Sequence, residues 1–122
     1  LLEQYLTRLL QTKGKHGTRF LADDVTGSFL LDLMIRQDFK CAVSGIAFTR
    51  PSVWAGRRAP FAPSVDRIDV ERQYERDNIR MVCLIVNLAL NDFGDEAFHL
   101  MCRETMKKLD DVGHSTDLSG KP

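Results

Sequence analysis

Apolar residues recur at helical spacing near both ends of this 122-residue chain, but the stretch between them cannot be one helix. Leu2, Tyr5, Leu6, Leu9 and Leu10 fall on one face of a helix, which predicts a first helix ending near Gly14 and Gly17. Asp23 or Asp24 is expected to cap a second helix. Val25, Phe29, Leu30, Leu33 and Met34 form its buried face, and its end is expected at residues 39–41. From residue 44 to residue 63 the texture changes, with Gly45, Pro51, Gly56, Pro60 and Pro63 as breakers. Residues 46–49, 64–68 and 79–82 are strand candidates there and just beyond. Residues 83–91 read as a helix that is apolar nearly all round. Asp95 and Glu96 suit the positive start of a last helix, lined by Phe98, Met101, Cys102, Thr105 and Leu109. The pattern predicts an α+β fold: a hairpin and a helix flanked by helices from either end. The expected divisions are a helical segment over 1–40, a central motif over 41–93, a helix over 94–109 and a flexible tail over 110–122.

Composition removes several classes. At 43% hydrophobic and 28% charged residues, the chain has enough apolar material for a core, so disorder throughout is excluded. No run approaches the roughly 18 apolar residues of a membrane span. Residues 1–11 carry Glu3, Gln4 and Arg8, unlike a secretory leader. The sequence does not open on Met, as expected of a piece of a longer chain. Three cysteines, Cys41, Cys83 and Cys102, include no C-x-x-C pair. Neither a disulfide scaffold nor a zinc ribbon is expected, and a reducing, cytoplasmic setting fits better.

Seventeen basic residues balance seventeen acidic ones, so net charge points to no partner. The bases cluster, however: Arg8, Lys13, Lys15 and Arg19, then Arg50, Arg57, Arg58 and Arg67. Such patches suit a phosphate-bearing partner, or simply a solvated surface.

Two polar residues stand out. On a strand, Asp66 and Ile68 share one face while Arg67 and Asp69 share the other. Asn87 lies among Leu84, Ile85, Val86, Leu88, Ala89 and Leu90, with Asn91 at i+4 on the same helical face. A buried, unpaired amide costs roughly 1–3 kcal/mol, so Asn87 needs a partner or a ligand. Asp66 and Asn87 together offer two hard oxygen donors of the kind Mg²⁺ takes, with water and phosphate completing the shell. The plainer alternatives are a surface ion pair for Asp66 and a cap or solvent-facing amide for Asn87.

The runs Cys41-Ala-Val-Ser-Gly45, Pro63-Ser-Val-Asp-Arg-Ile-Asp69 and Asp77-Asn-Ile-Arg-Met-Val-Cys83, followed by Asn87, resemble the HNH nuclease superfamily, and within it the phage and bacterial HNH-like branch. The resemblance covers residues 41–93, with Tyr74 at about the expected place in the loop. It implies a ββα-metal fold in which two strands and a helix cradle one divalent ion. Asp66 would match the first metal ligand and Asn87 the second. Asn78 would match an Asn that ties the hairpin loop, and Asn91 would support the site from behind.

The chain departs from the family at Arg67, which stands where a His normally acts as general base. Arginine cannot accept a proton at neutral pH. The resemblance therefore assigns Arg67 to phosphate contact and leaves the base to Asp69, whose alternative role is a loop-tying acceptor, or to His99 or His16 without motif support. Ser44 replaces a second zinc-binding Cys, so no structural zinc is expected and the three thiols should be buried packing residues. The implied function is a nuclease for double-stranded DNA using Mg²⁺ or Mn²⁺, with Arg57, Arg58 and Arg80 on phosphates. The other readings are a nucleic-acid-binding module without hydrolysis and a protein-interaction domain. No membrane partner is expected.

Overall fold

The computed structural model of the protein describes residues 2–15, 21–50 and 59–115. Helix α1 spans Leu2–Lys15. It buries Leu6 and Leu10 and lays Leu2, Tyr5 and Leu9 partly against the same core, as its apolar spacing requires. Helix α2 spans Gly27–Arg36. Thr26 caps it, rather than Asp23 or Asp24: its Oγ1 accepts the Phe29 N–H at 3.2 Å. Phe29, Leu30 and Met34 are buried, as is Val25 just ahead of the helix.

The second helix ends sooner than its apolar spacing suggested. The Phe39 N–H reaches the Met34 carbonyl at 2.8 Å, the Asp38 N–H reaches the Ile35 carbonyl at 2.9 Å, and Asp38 turns left-handed at φ 57°. That is a Schellman ending with Asp in the position glycine usually fills.

The two helices pack on one another, and Gly27 lies at their close approach. A Cβ there would collide with Thr7 Oγ1 and lie 2.8 Å from the Glu3 carbonyl oxygen.

Strand β1, Pro63–Arg67, pairs antiparallel with β2, Ile79–Cys83. The register sets Ser64 against Val82, Val65 against Met81 and Asp66 against Arg80. Residues 46–49, a strand candidate by composition, contribute only a single bridge from Ala47 to Lys40. Val65 and Met81 enter the core with Leu6, Leu30 and Met34. A two-stranded hairpin is marginal alone in water, so helical cover is needed.

The peptide groups of Val65 and Met81 bond outward, as in a non-hydrogen-bonded antiparallel pair. The Gln37 side chain serves the β2 edge. Its Nε2 donates to the Met81 carbonyl at 2.9 Å, and its Oε1 accepts the Met81 N–H at 3.1 Å. Ala42 N–H donates to the same carbonyl at 3.0 Å.

Helix α3, Leu84–Leu90, follows β2 directly. Although its sequence is apolar nearly all round, Ile85 and Leu88 are exposed and Val86 is buried. Contacts divide the chain into two units, Leu1–Leu88 and Ala89–Pro122. Residues 1–40 and the hairpin therefore share one unit.

In the second unit, Gly94 at φ 91° precedes helix α4, Asp95–Ser115. The helix runs past residue 109, so residues 110–115 are helical rather than part of a tail. Cys102 on α4 is exposed, against the expectation that all three thiols are buried. Among the described residues no helix is long and apolar enough to cross a membrane.

Gly27→Ala is expected to lower stability by about 1–3 kcal/mol, because a backbone carbonyl blocks the new methyl group. Urea unfolding should show a lower midpoint with an unchanged slope.

Candidate functional site

Asp66 is buried at 7% exposure, an environment in which an isolated carboxylate would be costly. Register supplies its partner: Arg80, directly opposite on β2, donates through Nε to Asp66 Oδ2 at 2.8 Å. Both side chains are largely enclosed, 8% exposed for Asp66 and 17% for Arg80. This is an enclosed ion pair, not a surface one. Arg80, expected on phosphate, is instead engaged with the carboxylate.

Asn87 comes from α3. The start of that helix is fixed by two bonds, Leu84 N–H to the Ala62 carbonyl and Ile85 N–H to the Pro60 carbonyl, each 2.9 Å. Asn87 Nδ2 then donates to Ser64 Oγ at 2.7 Å and to the Val65 carbonyl at 3.1 Å. A carbonyl only accepts, so the NH₂ end of the amide must face the strand and Oδ1 must lie on its other side. No hydrogen bond to Oδ1 comes from the described residues. Ser64 and Asp66 share one face of β1, about 6.5–7 Å apart along the strand. The helix amide and the hairpin carboxylate thus flank neighbouring positions of one strand.

As donors, Asp66 and Asn87 Oδ1 are of the hard-oxygen class that suits a divalent ion. Among the described residues no group of three or more His, Cys, Asp or Glu could hold a metal. A cation here would have two protein oxygens, with water and phosphate supplying the rest, and would share the Asp66 carboxylate with Arg80.

Arg67 lies on the opposite face from Asp66, and its guanidinium is spent on the loop. Nη1 donates to the Val70 carbonyl at 2.6 Å and to the Arg72 carbonyl at 2.9 Å. The group also lies 5.4 Å from the centroid of the buried Tyr74 ring.

Asn78, 1% exposed, clasps the same loop. Its Oδ1 accepts the Asp69 N–H at 2.8 Å, while Nδ2 donates to the carbonyls of Asp69 at 3.0 Å and Gln73 at 2.8 Å. Asp69 Oδ1 accepts the Glu71 N–H at 2.9 Å, closing a local turn.

Asn91 is not on α3, which ends at Leu90. It is exposed at φ 43°, a left-handed position that Asn tolerates. His99 belongs to α4 in the second unit. His16, Arg57 and Arg58 lie outside the described residues.

Two participants escaped the sequence reading. Ser64, which receives Asn87, could have been found from the period of two that links it to Asp66. Gln37 carries no sequence signal, since its target is 44 residues away.

Compared with family models, curated proteins and solved structures, the chain matches none.

Removing the loop clasp should be costly. Asn78→Ala would leave two partly buried carbonyls and one N–H without their side-chain partner, and about 1–3 kcal/mol of stability should be lost. Thermal or urea unfolding measures it. Arg80→Leu should cost about 3 kcal/mol or more by stranding the Asp66 charge, and adding Asp66→Asn should recover much of that loss.

Proposed function

We propose that residues 41–93 form an HNH-like ββα-metal unit and that the protein is a nuclease acting on double-stranded DNA through one divalent ion, Mg²⁺ or Mn²⁺. The observation that carries this reading is the buried Asp66 carboxylate on the same strand face as Ser64, the residue that Asn87 of the next helix binds. The family resemblance of the four sequence elements supports it. Hairpin and helix follow one another in the order the resemblance implies.

In this reading Asp66 and Asn87 Oδ1 hold the ion. Bound there, it would supply positive charge to the scissile phosphate and the leaving oxygen. Arg80 is held on Asp66 and contributes its positive charge to the site from there. Arg57 and Arg58 add basic charge from the 44–63 segment. Arg67 acts at one remove, holding the loop that fixes the hairpin. Asp69, the base that the resemblance leaves, uses Oδ1 for its turn in the loop after β1.

A second reading, DNA binding without hydrolysis, is favoured by one specific pair of facts. Arginine replaces the usual histidine at position 67, and a guanidinium already occupies the Asp66 carboxylate.

Supercoiled plasmid incubated with the protein separates the two. Nicking is expected with Mg²⁺ or Mn²⁺ and none in EDTA. Asp66→Ala and Asn87→Ala, each checked for folding by circular dichroism, should lower it about a hundredfold or more. Binding that weakens steeply with salt, without cutting under any divalent ion, selects the second reading. Absence of DNA binding even at low salt sinks both.

A further inference from the structure

Cys41 and Cys83 are both buried, at 3% and 0% exposure, and the Cys83 backbone N–H reaches Cys41 Sγ. Cys41 opens a tight turn. The Gly45 N–H returns to the Cys41 carbonyl at 2.9 Å with Gly45 at φ 74°, and the Cys41 N–H bonds the Ile46 carbonyl at 2.8 Å. The curl aims backbone donors at one sulfur. The Ser44 N–H lies 3.4 Å from Cys41 Sγ, and the N–H of Cys83, the last residue of β2, lies 3.3 Å from it.

Donors converging on a sulfur favour its anion. Burial pushes the Cys41 thiol up. Hydrogen bonds from the Ser44 side chain and backbone, and from the Cys83 and Val43 amides, outweigh that and bring it below its ordinary value. Burial, and then the neighbouring Cys41, push Cys83 up to about 11. The pair is therefore asymmetric: the Cys41 sulfur collects the donors that favour its anion, and Cys83 is held as the thiol. Their cover is thin, since Ala42, Ser44, Gly45 and Ile46 of the turn are all exposed.

We propose that Cys41 and Cys83 are a redox pair in which a hydroperoxide oxidises Cys41 and Cys83 resolves it as an intramolecular disulfide. The Cys41 thiolate attacks the peroxide; an S–O bond forms, the O–O bond breaks, and the leaving oxygen takes a proton to become water or an alcohol. The Cys83 sulfur then attacks the sulfenic sulfur. The S–S bond forms, the S–O bond breaks, and hydroxide leaves as water with the Cys83 proton. Two thiols lose two electrons, which the peroxide gains. The product ties the 41–45 turn to the residue before α3. A dithiol reductant reverses it. The proposal is independent of the nuclease reading.

The test uses the full chain carrying Cys102→Ser, which removes the exposed thiol. With hydrogen peroxide the protein should become lighter by two hydrogen atoms and lose both free thiols together. It should yield a linked Cys41–Cys83 peptide and revert with dithiothreitol. Adding Cys83→Ser should leave Cys41 as a sulfenic acid that dimedone traps. If that variant does not fold, the linked peptide in the Cys102→Ser chain decides alone. Both thiols remaining free at peroxide levels that oxidise Cys102 in the parent chain would overturn the proposal, as would oxidation of Cys41 without linkage to Cys83.

Discussion

The register of the hairpin is the constraint on which the rest depends. Side chains alternate faces along a strand, so a slip of one residue would carry Asp66 into the apolar core and turn Val65 out of it. The loop over residues 68–78 holds the register from one end. Asn78 binds it at three points and Arg67 at two. At the other end, Leu84 and Ile85 are tied to the carbonyls of Ala62 and Pro60. With both ends held, Asp66 is set directly opposite Arg80.

Local pattern made much of this readable in advance. Apolar spacing located α1 and the buried face of α2, and the period of two placed Asp66 on one face of its strand. Where the reading failed, the deciding interaction was not local in type or reach. Asp23 and Asp24 are as good caps as Thr26 by residue type, yet the helix starts at the glycine that must meet α1. Residues 46–49 have strand composition but only one bridging partner. The last helix continues past residue 109, through a polar stretch whose composition suits a loose tail.

The site was legible as two residues and opaque as a network. An amide in an apolar helix and a carboxylate on a strand announce themselves by being out of place. What they touch depends on pairing. Arg80, expected on phosphate, is set across from Asp66 by register. Arg67 looked like a phosphate ligand because of its neighbour in sequence, whereas alternation sends it to the far face and onto the loop. An enclosed ion pair gains little net stability over apolar residues of similar size. The hairpin thus carries charge at a place where packing alone would not call for it.

The two carboxamides that serve the sheet from either side have one more consequence. Asn87 takes the outward carbonyl of Val65, and Gln37 takes both outward groups of Met81. A ribbon of two strands would otherwise be a template for recruiting a third from another molecule. Here the central rung is plugged on both flanks by side chains that imitate a neighbouring backbone. The ribbon is thereby terminated at two strands, and growth toward fibrils through this rung would first have to evict an amide.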